Sequence, residues 1–170
     1  AIERKRLLDH LQHMALFDQL TDLPNRALFG DRIQSALSRA RRDGLRLSVL
    51  YLDLNKFKFI NDNYGHPVGD LLLKEVAQRL EDCVRASDTV SRFGGDEFVI
   101  LLENIDSPAN TAAVVNKIHQ ALNQPFVLGN HNIGILPSIG VAQFPDDGDD
   151  ETQLLRHADH AMYRTKKSIP

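Results

Sequence analysis

Two glycines followed by two acids, Gly94-Gly95-Asp96-Glu97, separate the runs Thr89 to Phe93 and Phe98 to Leu102, both rich in β-branched, aromatic and aliphatic residues. A short glycine connection between two such runs is the signature of a β-hairpin, which puts both acids at its tip. Adjacent side chains of a strand face opposite ways, so Asp96 and Glu97 share one site only where the glycines twist the backbone between them. Otherwise a single acid carries the chemistry. Two carboxylates beside bare glycine backbone suit a divalent cation that a phosphate must also reach, because magnesium takes oxygen ligands and keeps open positions. From this stretch alone an exposed acidic turn is an equal reading.

A second stretch supplies a partner. The apolar run Leu45 to Leu52 predicts a central strand that ends at Asp53, and α/β sheets place their ligands at the carboxyl ends of strands. The segment Asn55 to Ile60 then turns into a helix whose first N–H groups point toward Asp53, a ready cradle for phosphate oxygens. By spacing alone Asn61 is a helix-end residue and Asp70 an N-cap for a helix over Leu71 to Val84. His66 has no second histidine at ligand spacing and reads as structural.

The remaining chain reads as scaffold. Residues 2 to 19 carry Leu7, Leu8, Leu11, Met14 and Ala15 at helical spacing, and Asn25 or Asp22 caps a helix that closes at Arg41-Arg42-Asp43-Gly44. Arg85 and Asp88, three apart, form by themselves a surface pair of little worth. Ser107-Pro108 opens a helix that stops at Asn123-Gln124-Pro125, while Phe126 to Leu128 and Ile133 to Phe144 read as strands around Gly129-Asn130. The acidic run Pro145 to Glu151 lacks the alternating ligands of a calcium loop and reads as a solvated loop capping the last helix, Thr152 to Lys167.

With 170 residues, a net charge of −3 and a pI near 6.2, the chain fits one domain and offers no global basic field for nucleic acid. Without a membrane-length apolar run or a signal-peptide core, a cytoplasmic location without membrane contact is expected. The single cysteine, Cys83, rules out an internal disulfide and reads as a buried structural thiol.

Taken together, Gly94-Gly95-Asp96-Glu97-Phe98, the Asp53 to Asp70 segment and Leu20-Thr21-Asp22-Leu23-Pro24-Asn25-Arg26 resemble the GGDEF domain, the diguanylate cyclase family, over nearly the whole chain and in the family's order. The resemblance implies a nucleotidyl-cyclase and polymerase-palm-like α/β sandwich, with a central mixed or antiparallel sheet flanked by helices. An N-terminal linker helix over 1–19 would precede a domain over 20–170. It implies condensation of two GTP into cyclic di-GMP with release of pyrophosphate, by two domains meeting face to face as a homodimer. Magnesium or manganese would be held by Asp53, the Leu54 carbonyl and Asp96, with Glu97 either completing a second metal position or acting as base. Phosphates would lie on the Phe57 and Lys58 backbone and on Lys166. Guanine would be read by Asn61 and Asp70, and inhibitory cyclic di-GMP would bind at Arg85 and Asp88. An upstream sensory domain and a downstream phosphodiesterase domain are the expected partners in a longer protein.

Two departures qualify these expectations. Asn55 stands where the family often has a second aspartate, and Ile169-Pro170 stand where it has Gly-Arg after the lysine. The alternative is therefore a catalytically weak or inactive module that holds GTP or cyclic di-GMP and regulates an attached domain. A template-directed polymerase is disfavoured, since the short chain has no basic tract for a primer-template.

Overall fold

The computed structural model describes residues 1–168. At the centre lies β1 (Arg46–Leu54), flanked by β3 (Glu97–Ile105) and β6 (Pro137–Phe144), with β2 (Thr89–Gly94) outside β3. Every neighbouring pair is antiparallel, which resolves the expected mixed or antiparallel sheet to the second form. Strand β1 is buried over nearly its whole length because both faces of the sheet are covered. Leu50, Leu52 and Leu54 join Phe98, Ile100 and Leu102 against one helical layer, while Val49 and Tyr51 join Val99 and Leu101 against the other. Alternation along the strand thus feeds two cores.

The first core is closed by α3 (Phe57–Tyr64), α4 (His66–Asp82) and α5 (Pro108–Asn123), together with the small hairpin of β4 (Phe126–Leu128) and β5 (His131–Ile133). The second is closed by α2 (Arg26–Asp43) and α6 (Glu151–Lys167). Helix ends follow the predicted chemistry. Asn25 caps α2 by accepting from the Leu28 N–H, Gly44 ends it in the left-handed region, Ser107 and Asn110 form a capping box on α5, and Asp150 caps α6. Arg79 of α4 closes the far end of α5, stacking 3.7 Å over the Phe126 ring and donating to the carbonyls of Ala121, Gln124 and Pro125. Cys83 is buried, as read.

Several boundaries move. The helix expected over 2–19 is α1 (Ile2–Leu16), and it buries none of its residues. The run Ile133 to Phe144 is not one strand. It breaks at 134–136, its first residue pairing with β4 and its last eight joining the main sheet. Asp70 is not an N-cap, because α4 starts at His66, with Pro67 in its first turn and Gly65 at φ 90° separating it from α3. Asp70 therefore projects from the second turn of a helix.

Candidate active site

At the hairpin tip, Gly94 (φ 141°) and Gly95 (φ 47°) hold backbone conformations that side chains disfavour. The register shifts there, from Arg92 opposite Phe98 to Gly94 opposite Glu97. This twist settles the question the two adjacent acids raised. Glu97 lies opposite Asp53 across the β1–β3 ladder and its Oε2 accepts a 3.1 Å hydrogen bond from the Tyr51 hydroxyl. Asp96, one residue earlier in the turn, also comes within hydrogen-bonding reach of Asp53. Asp53 and Asp96 thus meet at the end of the central strand, with Glu97 on the neighbouring strand beside them.

The Leu54 carbonyl belongs to the same edge. The Asn55 N–H bonds the Leu136 carbonyl on the β6 side, and successive residues of a strand present their amides to opposite edges. Leu54 therefore faces the β3 side, just past the last paired position of that ladder, where Asp96 lies.

Burial, reinforced by the neighbouring Asp53, pushes the Asp96 carboxyl up to about 7. On the helical side, Lys166 Nζ donates to Asp53 Oδ2 at 2.8 Å, and that bond raises the lysine above its ordinary range. The other Asp53 oxygen, Oδ1, is buried and has no donor among the described residues. Asp96 can offer it a proton only when un-ionised. The edge therefore carries more negative charge than Lys166 answers, a donor set that fits a divalent cation. No cluster of three or more acidic, histidine or cysteine side chains at metal spacing occurs among the described residues, so a cation here needs the Leu54 carbonyl or a ligand's oxygens as well.

The raised Asp96 value gives a pH dependence. Its folded value lies above the unfolded 3.8, so its contribution to stability is complete below about 4 and is lost as pH rises through about 7. In metal-free protein, Asp96→Asn is expected to raise the melting temperature at pH 8 more than at pH 5. Calorimetry on both proteins at the two pH values checks this.

Beyond Asp53 the chain turns through Lys56, in the left-handed region at φ 62°, into α3. Phe57 and Lys58 are its first two residues, so their N–H groups have no intrahelical acceptor and point out of the helix start. Asn61 lies on the next turn. A Cβ added to Gly69 would stand 1.9 Å from Asn61 Oδ1, so the carboxamide rests directly on this glycine, beside Asp70. Gly69 was not singled out in the sequence. The signal was a glycine inside a helix, masked because the helix was expected to begin later. Gly69→Ala is expected to displace the Asn61 carboxamide and lower the melting temperature, as calorimetry would measure.

Arg92, two residues before Gly94, was also not singled out in the sequence. Its Nη1 bonds both oxygens of Asp18 at 2.9 and 3.0 Å, while Nε and Nη2 bond the Gly95 carbonyl at 3.0 and 2.8 Å. Asp18 in turn accepts from the Thr21 N–H and hydroxyl. The catalytic-looking turn is thereby tied to the segment that joins α1 to α2. No local pattern announces a pair separated by 74 residues.

Arg85 and Asp88 are not a loose surface pair. The Asp88 side chain is 2% exposed and accepts from the Arg85 N–H and guanidinium and from the Glu103 N–H, because it organises the turn into β2. The Arg85 guanidinium, 57% exposed, also donates to the Glu103 carbonyl and borders a polar pocket of about 240 Å³ shared with Arg32. His66 is exposed and joins no metal cluster among the described residues. Ile169-Pro170 lie outside the described residues.

An antiparallel α/β sandwich that gathers acids at the end of its central strand, beside a helix start, is of the nucleotidyl-cyclase and polymerase-palm class. A family model described as "Diguanylate cyclase, GGDEF domain" matches residues 15–169, and the chain belongs to that family. The bifunctional diguanylate cyclase/cyclic di-GMP phosphodiesterase MucR of Pseudomonas aeruginosa is 47% identical over 156 residues, covering 92% of this chain and 23% of that protein. The GGDEF domain of TpbB (YfiN) from the same species superposes with a TM-score of 0.88 at 38% identity, covering 90% of each chain. The coiled coil and GGDEF domain of DgcB from Caulobacter crescentus, in complex with c-di-GMP, gives 0.85 at 26%, covering 98% of this chain and 88% of that one. The chain spans about a fifth to two fifths of the length of the curated relatives it matches. No helix among the described residues is long and apolar enough to cross a membrane.

Proposed function

We propose that this domain condenses two GTP into cyclic di-GMP with release of two pyrophosphates. The observation that carries this reading is the meeting of Asp53 and Asp96 at one edge of the sheet, next to the free N–H groups of Phe57 and Lys58. The cyclic di-GMP named for MucR and DgcB supports the choice of product. Asp53, Asp96 and the Leu54 carbonyl would hold magnesium or manganese, which when bound neutralises charge on the phosphates and polarises the α-phosphoryl.

The chain's own groups do the rest. Asn61 and Asp70 together match the donor and acceptor edge of guanine, which presents N1–H and amino donors and acceptors at O6 and N7. The Phe57 and Lys58 N–H groups cradle the phosphates, and Lys166 moves from Asp53 to the terminal phosphates. Glu97, steadied by the Tyr51 hydroxyl, accepts the 3′-hydroxyl proton as that oxygen bonds to the α-phosphorus and the bond to pyrophosphate breaks. One domain supplies one nucleotide site and the product needs two, so two domains meet face to face and the activity requires that encounter. An upstream sensory domain and a downstream phosphodiesterase domain are proposed for the longer protein, and this domain is placed in the cytoplasm.

Incubation with GTP and magnesium, followed by nucleotide chromatography over a range of protein concentrations, tests the reading. Cyclic di-GMP and pyrophosphate are expected, with a rate per molecule that climbs with concentration. Bound GTP without pyrophosphate would instead favour a regulatory binding module. We place inhibitory product at Arg85 and Asp88, where the exposed guanidinium suits both guanine stacking and phosphate contact. Arg85→Ala is expected to raise the inhibitory concentration of cyclic di-GMP about tenfold or more while synthesis persists, as initial rates with added product would show.

A further inference from the structure

We propose that the cleft between α3, the end of α5 and the β4–β5 hairpin is a regulatory site for a small, flat aromatic molecule bearing one negative charge. The cleft holds about 500 Å³, within the roughly 300–1,000 Å³ usual for small-molecule sites. It shares α3 with Asn61, but neither Asn61 nor Asp70 lines it.

Its walls define the ligand. Ile60, Ile133 and Ile135 are buried, while Phe59 and Leu136 are 57% and 51% exposed at its edges. The Tyr64 ring is propped edge-on by His131 at 4.9 Å. Aromatic and aliphatic walls of this kind favour a planar ring. The polar groups are the carboxamides of Asn55, Asn123 and Asn132 and the Tyr64 hydroxyl, and among the described residues the only ionic side chain in the lining is Lys56. The carbonyls of Ala121 and Gln124 at the end of α5 are already taken by Arg79. One cation with no acid complements a single negative charge and leaves a triphosphate largely uncompensated.

Two further features mark its wall. Gly134, in the lining, has a φ outside the left-handed region, and a Cβ there would meet nothing within 4 Å. A side chain there would project into open space, so glycine leaves the cleft wide. Asn55, whose Oδ1 accepts from the Ser138 hydroxyl, has a buried Nδ2 with no acceptor among the described residues.

The regulation follows from α3 belonging to both places. Phe57 and Asn61 rest against Gly69 of α4, while Phe59, Ile60 and Tyr64 of the same two turns line the cleft. The turn through Lys56, which lines the cleft, also sets the Phe57 and Lys58 N–H groups. A molecule seated against Phe59, Ile60 and Tyr64 therefore bears on the helix that carries Asn61 and changes affinity for nucleotide there. Only this coupling rests on the nucleotide reading; occupancy of the cleft does not.

Titration of ¹⁵N-labelled protein with indole-3-carboxylate tests both parts. Saturable amide shifts are expected at Phe59, Tyr64, Gly134 and Leu136, undisplaced by excess GTP. Gly134→Leu, which fills the cleft, is expected to abolish them, and Lys56→Gln to weaken binding about tenfold, with circular dichroism confirming the fold of each. Absence of saturable shifts, equal binding by the parent and both folded variants, or displacement by GTP would overturn the site. With the probe saturating, the Kd of a non-hydrolysable GTP analogue is expected to change at least about threefold. An unchanged Kd would overturn the regulatory role. Failure of the cyclase reading would appear separately, as absence of cyclic di-GMP in the chromatographic assay with the probe still bound.

Discussion

Asp53→Asn is expected to lower GTP turnover by at least about a thousandfold while leaving the protein folded, since a metal supplies several kcal/mol to a phosphoryl-transfer transition state. Asp53 is the one acid placed on the central strand itself, so its position does not depend on a flexible tip. Its Oδ2 holds Lys166 and its Oδ1 has no donor among the described residues. The amide keeps the shape of the side chain and removes its charge. Loss of the Lys166 pair costs stability, and relief of the repulsion with Asp96 offsets part of that loss. Single-turnover rates in magnesium, read beside thermal melts, separate the two effects. Turnover within tenfold of the parent would contradict the role given to this edge.

Arg92→Leu is expected to destabilise the domain by about 3 kcal/mol, in the range found when one partner of a largely buried ion pair is removed. The side chains are 13% and 17% exposed, and the change leaves Asp18 without its guanidinium and the Gly95 carbonyl without two donors. A shift of that size lowers the melting temperature of a domain this long by roughly 6–12 °C. Asp18→Asn in the Arg92→Leu background should cost little more, because the charge it removes is already unpaired. A full additive loss would show that the two residues do not act together. Turnover should also fall at temperatures where Arg92→Leu remains folded, since the turn carrying Asp96 then loses its tether.

Where local chemistry suffices, the elements were legible. The caps at Asn25, Ser107 and Asp150 satisfy N–H groups within a few residues, and the glycine hairpin is a local backbone matter. The alternation of β1 was legible as apolar content and silent about facing, because a strand covered on both sides shows no polar face. The α4 boundary was misplaced because Gly65-His66-Pro67 can end one helix or open the next, and packing on Asn61 through Gly69 chose the second. The split of Ile133 to Phe144 was equally hidden. Strand propensity does not say which partner a residue joins, and only the position of β1 drew Pro137–Phe144 away from β5.

By itself the sequence determined the chemical vocabulary of this domain: an acid ending a central strand, two acids on a glycine turn, free N–H groups opening a helix, and a lysine near the end of the last helix. Tertiary structure alone decided how these meet. Asp53, Asp96 and Lys166 come together because β1 and β3 pair in one register and α6 packs across the same face of the sheet. Side-chain chemistry is written residue by residue, whereas the distance between groups separated by 43 or 113 positions is set only when the whole hydrophobic sandwich closes around the sheet.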